Sequence, residues 1–189
     1  MKELKYISVF VISLILTGLS SFGQSYYKVK PHSVSTRVNN EECPVMNNNQ
    51  LIYLSNRANT SLRKDYDGQK RNYYHIYHAF LDTTSKSWCI PQPFNPELKT
   101  NLSDGPLTIN SSGNFIAFSS NFNSALAGGN KTNPYVGIFF ADKNGETWGN
   151  IRAFQYNSYD AQTTHPTLNQ EGNIMYFSSD RTGGFGGYD

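Results

Sequence analysis

The sequence predicts an all-β chain: an incomplete β-propeller of four-stranded antiparallel blades, about two and a half repeats long, following an export signal. Three observations predict it. A set of landmarks recurs with a period near 60 residues. The composition, 14% aromatic with abundant Asn, Ser, Gly and Thr, is that of short strands joined by turns. Amphipathic helical periodicity is missing after residue 24.

The N-terminus comes first. Lys2 and Lys5 precede an apolar run from Ile7 to Leu16, and small or polar residues follow. This run is shorter than the ~20 apolar residues that a spanning helix requires. Residues 1–23 therefore read as a cleavable secretory signal, with Ser21 and Gly23 at the positions a peptidase inspects. No cysteine precedes Cys43, so nothing suggests a lipid anchor, and no membrane span is expected after cleavage. Residues 24–42 form a linker or lead-in strand.

Three copies of a repeat then fill residues 43–104, 105–164 and 165–189. Each opens at a proline: Pro44, Pro106 or Pro166, at intervals of 62 and 60 residues. A turn follows, at Asn48–Asn49, Gly113 or Gly172. The second strand ends in Leu54-Ser55-Asn56, Phe118-Ser119-Ser120 or Phe177-Ser178-Ser179. A third strand covers Tyr73–Leu81 and Tyr135–Ala141. A fourth begins at Trp88 and Trp148, 60 residues apart. Four short strands per unit, repeated, is the signature of propeller blades. Alternation supports it, because Phe115, Ala117 and Ser119 oppose Ile116, Phe118 and Ser120. A stacked β-solenoid fits less well, since its period is usually shorter.

With 16 basic and 14 acidic residues the charge is near balance, which argues against a nucleic-acid or anionic-membrane surface. Gly183–Gly187 lacks a following helix and reads as a tight turn, not a phosphate cradle. Gly128–Thr132 lacks the spacing of a P-loop. The turn from Asp142 to Trp148 departs by one residue from the Asp-box of sialidase propellers. His75 and His78, three apart on a strand, point to opposite faces, so no metal site is expected. Asp65, Asp67, Asp160 and Asp180 fall in turns or loops and form no acid/base pair, and no nucleophile elbow is present. No catalytic residue and no cofactor are therefore expected. Asn56 and Asp180, in the matching Ser55-Asn56-Arg57 and Ser179-Asp180-Arg181, read as strand-end residues that bond loop backbone. Cys43 and Cys89 would lie three strand spacings apart, about 14 Å, against the ~7 Å a disulfide allows.

The run from His165 through Pro166, Gly172, Phe177-Ser-Ser-Asp-Arg181 to Tyr188-Asp189 resembles the TolB-type, WD-like propeller repeat of Bacteroidetes OmpA-family envelope proteins. The resemblance spans residues 43–189 and weakens toward the first copy. It implies a periplasmic or outer-membrane-associated module, and a structural role for His165, which precedes Pro166. In that family, repeats of this kind often precede a peptidoglycan-binding domain, or serve secretion machinery; no such domain follows here, so peptidoglycan binding is not carried over. It also implies that Tyr188-Asp189 leads into a third strand, so that the third copy is cut within a blade and the chain is a fragment.

The connections between second and third strands vary most and would share one face. The first is basic, and Arg57, Arg63, Lys64, Lys70, Arg71 and Tyr73 make up the expected interaction face. The functional expectation is a non-enzymatic exported module that contacts envelope proteins or peptidoglycan-associated components. The alternative is the N-terminal part of a secreted propeller glycan hydrolase.

Overall fold

The computed structural model describes residues 28–57, 72–99, 102–122 and 135–189. Residues 1–23, read from the sequence as an export signal, and Arg63, Lys64, Lys70 and Arg71 of the expected interaction face lie outside the described residues. Contacts divide the chain into residues 1–32 and 33–189, and every strand among the described residues belongs to the second unit.

The fold is all-β and antiparallel. The first sheet holds β1 (Glu41–Asn47), β2 (Gln50–Ser55), β3 (His75–Asp82) and β4 (Ser87–Trp88), in that order, with β5 (Gln92–Pro93) also paired to β3. The second runs β6 (Asp104–Ile109), β7 (Phe115–Phe122), β8 (Tyr135–Asn144) and β9 (Thr147–Ala153). The third pairs β10 (Thr163–Leu168) with β11 (Met175–Ser179). None of the sheets is closed.

The prolines do not open the first strands, as the sequence suggested. Those strands begin earlier, at Glu41, Asp104 and Thr163, so residues 41–42 belong to β1. Each proline instead sits in a bulge, where register shifts between Glu42 and Val45, Asp104 and Leu107, and Thr164 and Thr167. Proline has no N–H to give to a ladder, and a bulge excuses it from giving one. The preceding residue takes positive φ each time: 50° at Cys43, 86° at Gly105 and 54° at His165. His165 thus has the structural role expected of it. Only at Gly105 is a side chain sterically barred, because a Cβ there would lie 2.1 Å from Leu54 Cδ2.

The first hairpin of each later copy is closed by an asparagine. The Asn110 side-chain carbonyl accepts from the backbone N–H of Asn114 (3.1 Å) and Phe115 (3.2 Å). Asn169 does the same for Asn173 and Ile174, both at 3.0 Å. The turn then passes through Gly113 or Gly172 at φ 68° or 76°. In the first copy Asn48, at φ 51°, makes the shorter turn. The fourth strand of the first copy is broken into β4 and β5, with a 3-10 turn at Pro96–Leu98 beyond it.

Alternation along β7 separates two faces. Ile116 and Phe118 pack with Phe139, Ala141 and Trp148 against Ile52, Leu54, Ile76 and Phe94 of the first sheet. Burying side chains such as Ile52 and Ile116, both fully enclosed, contributes about 1.5–3 kcal/mol each. Ser119, on the opposite face, accepts from Thr164 Oγ1 and His165 N of the third sheet, both at 3.1 Å. Each later sheet therefore lays its first strand on the preceding sheet: β6 on β1, β2 and β3, and β10 on β6, β7 and β8.

Candidate functional site

Ser55 and Ser179 end β2 and β11 and Ser120 lies two residues before the end of β7; the three pair with Glu41, Thr163 and Asp104, the residues that begin the first strands. What these positions hold differs between copies. In the second, Ser120 Oγ donates to Asp104 Oδ1 (3.0 Å), and Asp104 Oδ2 lies 2.9 Å from Nδ1 of His75, the first residue of β3. Asp104 is 1% exposed and His75 6%, so a charged or strongly polar pair bridges two sheets inside the protein. Backbone fixes the seam, since Asp104 N donates to the Tyr74 carbonyl (2.8 Å) and Tyr74 N to Ser103 Oγ (3.3 Å). Beside it opens a cavity of about 130 Å³ lined in part by Tyr77, Asn95 and Lys99.

The chemistry available there is limited by the order of the groups. A nucleophilic relay runs hydroxyl, imidazole, carboxylate. Here the order is hydroxyl, carboxylate, imidazole, so the hydroxyl bonds the carboxylate and no imidazole stands next to it. The carboxylate instead ties the second sheet to the first. The pair is not repeated at the next junction, where Gly137 and Thr163 occupy the corresponding registers.

Arg57 was expected to face a partner. Its guanidinium is instead turned onto its own sheet, with 18% side-chain exposure. It donates to Ser55 Oγ (3.1 Å), Glu41 Oε1 (3.2 Å), Tyr53 OH (2.9 Å) and the Val34 carbonyl (3.1 Å). It also stacks 5.0 Å from the Tyr77 ring centre. Arg181 repeats the device in the third sheet: its side chain donates to Ser179 Oγ (3.0 Å), Thr163 Oγ1 (3.3 Å) and the Tyr156 carbonyl (3.2 Å), over Phe177. Between these residues, Asn56 Oδ1 accepts from Asn40 N (2.8 Å) and Asp180 Oδ1 from Gln162 N (2.6 Å). The strand-end role read for Asn56 and Asp180 is what these bonds perform. Tyr73 is half-buried beside the seam.

The two histidines hold separate partners. His78 Nδ1 lies 2.6 Å from Gln50 Nε2, and its ring meets Phe80 and Phe94 edge-on. Burial pulls its pKa below the usual histidine value. Among the described residues no group of three His, Cys, Asp or Glu could hold a metal. Cys43 and Cys89 are free thiols at the surface, not a disulfide, and the partial burial of Cys43, followed by the charge of Glu42, pushes its thiol pKa up. Asp142 is held below the usual carboxylate range by Arg152, whose guanidinium bonds both its oxygens (2.6 and 3.1 Å). Among the described residues no helix is long and apolar enough to cross a membrane.

Sequence reasoning missed the His75–Asp104 pair because 29 residues separate its members and nothing local links them. The arginine clasp had a visible signal, an aromatic two residues before Ser and an arginine two after, in Tyr53-x-Ser55-x-Arg57 and Phe177-x-Ser179-x-Arg181. Comparison with protein-family models, curated proteins and solved structures gives no match.

Proposed function

We propose that residues 43–189 are successive blades of a β-propeller of the TolB-like, WD-like kind, and that the protein is an exported, non-enzymatic binding module of the bacterial envelope. The observation that carries this reading is the recurrence of one junction. Equivalent first strands, β6 and β10, lie on equivalent faces of the sheets before them, each entered through a positive-φ residue followed by proline. A constant offset between like sheets is what a propeller repeats around its axis. The binding assignment is supported by the polar groups at the first seam, which serve sheet-to-sheet attachment and lack the order of a nucleophilic relay.

The contact surface in this reading is the basic loop between β2 and β3, with Arg63, Lys64, Lys70 and Arg71. Arg57 is reassigned to holding the sheet, and Tyr73 flanks the surface. Partners are envelope proteins or peptidoglycan-associated components. The test is co-purification from cross-linked envelope fractions, together with co-sedimentation with isolated peptidoglycan. Charge reversal at those four positions is expected to remove the captured partners. An unchanged partner set would sink the assignment of that surface.

A further inference from the structure

The tip of the β8–β9 hairpin carries an asparagine whose side chain nothing restrains. β8 ends at Asn144, β9 begins at Thr147, and these two residues pair across the turn Gly145-Glu146. All four residues are exposed. Gly145 takes φ 60°, and nothing lies within 4 Å of where a Cβ would stand, so the turn is open on that side. Asn144 is bonded through its main-chain carbonyl, which accepts from Thr147 Oγ1 (3.1 Å). Its side chain takes part in no hydrogen bond among the described residues.

Other asparagines are tied down. Asn110, Asn157 and Asn169 hold their side-chain carbonyls against the backbone N–H of Asn114, Ile138 and Asn173. Asp104-Gly105, which has the same ring-closing chemistry, sits in the opposite setting. Asp104 is 1% exposed, and its two oxygens are held by Ser120 and His75. The Thr147 hydroxyl adds an electronic effect at the exposed site. It donates to the carbonyl conjugated with Gly145 N, and so stabilises the charge that spreads onto that oxygen when the Gly145 N–H loses its proton.

We infer that Asn144 is a site of intramolecular deamidation, with Gly145 N as the nucleophile and water as the second reactant. The deprotonated nitrogen attacks Asn144 Cγ and closes a five-membered imide. The Cγ–Nδ2 bond breaks, and the amide nitrogen takes up a proton and leaves as ammonia. Water then adds to one of the two imide carbonyls, so that one water enters for one ammonia lost and nothing is oxidised or reduced. Opening on one side leaves aspartate at position 144 in an unaltered backbone. Opening on the other leaves isoaspartate, with an extra methylene in the main chain. Hairpin tips open locally at far less cost than global unfolding, so the rotation that closes the ring is available to the folded chain. The extra methylene falls in the Asn144–Thr147 pair, beside the Lys143–Trp148 pair. Trp148 is 5% exposed and holds Phe94 at 5.8 Å, so isoaspartate loosens the junction between the first two sheets and aspartate does not.

The test is incubation of the full chain at mildly alkaline pH, then trypsin digestion and mass spectrometry of residues 144–152, released by cuts after Lys143 and Arg152. An amide-to-acid mass gain located at Asn144 is expected, in two chromatographic isomers, and faster as pH rises. Asn150 in the same fragment, whose amide donates to Asp142 (2.6 Å) and which precedes Ile151, is expected to stay unchanged. Asn144→Gln, which would need a larger ring, is expected to abolish the reaction. Thr147→Val is expected to slow it roughly threefold. The isoaspartate fraction should unfold at lower denaturant than the aspartate fraction. Three results overturn the inference. One is an Asn144 left intact over the time in which a free peptide of residues 142–152 is converted. The others are conversion of Asn150 ahead of Asn144, and a rate that neither pH nor Thr147→Val alters.

Discussion

Gly105 is the residue where backbone and packing requirements coincide. It combines a φ of 86° with a Cβ position 2.1 Å from Leu54 Cδ2 in the shared core. Gly105→Ala is expected to cost about 2–3 kcal/mol in chemical denaturation, from strain and overpacking together. In a Leu54→Ala background the increment should shrink, because the steric part then has room to relax. Asp104 is a second critical residue, since its removal leaves His75 facing a buried site with its bridging partner gone. Asp104→Ala is expected to cost about 3–5 kcal/mol, and more than Ser120→Ala, by the same measurement. His78 governs pH dependence. Burial lowers its folded-state pKa below 6.5, so its contribution is complete above that pH and is lost as pH falls toward the lowered value. Protonation would also place a proton on the nitrogen that faces Gln50. His78→Phe is expected to flatten the fall in stability as the pH drops below the usual histidine range, read from denaturation midpoints.

At the scale of elements, the second and third copies are closed at one end by an asparagine turn, and the first and third at the other by a serine–arginine clasp. Asn169→Ala removes a carbonyl that accepts two backbone N–H groups and is expected to cost about 1–2 kcal/mol. It should act mainly on the β10–β11 hairpin, seen as faster amide exchange at Asn173 and Ile174. The clasp depends on a planar fork that reaches hydroxyl, carbonyl and ring together. Lysine has the charge without that fork, so Arg57→Lys should lose about 1–2 kcal/mol of stability despite conserved charge. The Asp142–Arg152 pair is more exposed, with side-chain exposures near 40%, and its removal should change stability little. The Ser-x-Arg recurrence was legible in the sequence. Which member carried structure was not, because a basic loop residue reads as surface until Tyr53, Tyr77 and Glu41 are seen around it.

Across the whole molecule, the first and second sheets share one core, and Trp148 is its link to Phe94. Trp148→Ala is expected to cost about 3–5 kcal/mol. It should also reduce hydrogen-exchange protection in β2 and β3 as well as β7 and β8, since the cavity opens between sheets. Protection lost in the second sheet alone would show that the sheets unfold separately. The third sheet meets the rest chiefly through β10, so it should exchange fastest of the three.

Much of this architecture was legible in one dimension, because strand alternation, turn residues and the 60-residue recurrence are local or periodic properties of the chain. They determined that the fold is all-β and antiparallel, where the hairpin turns fall, and which side chains of β7 share a face. Tertiary structure decided the rest. The prolines proved to lie inside bulged strands because proline cannot donate to a ladder, and only the register shows where the ladder resumes. Arg57 turned inward because the rings and oxygens that receive it come from three separate segments. His75 and Asp104 met because packing one sheet on the next brings together two strand ends that sequence distance keeps apart.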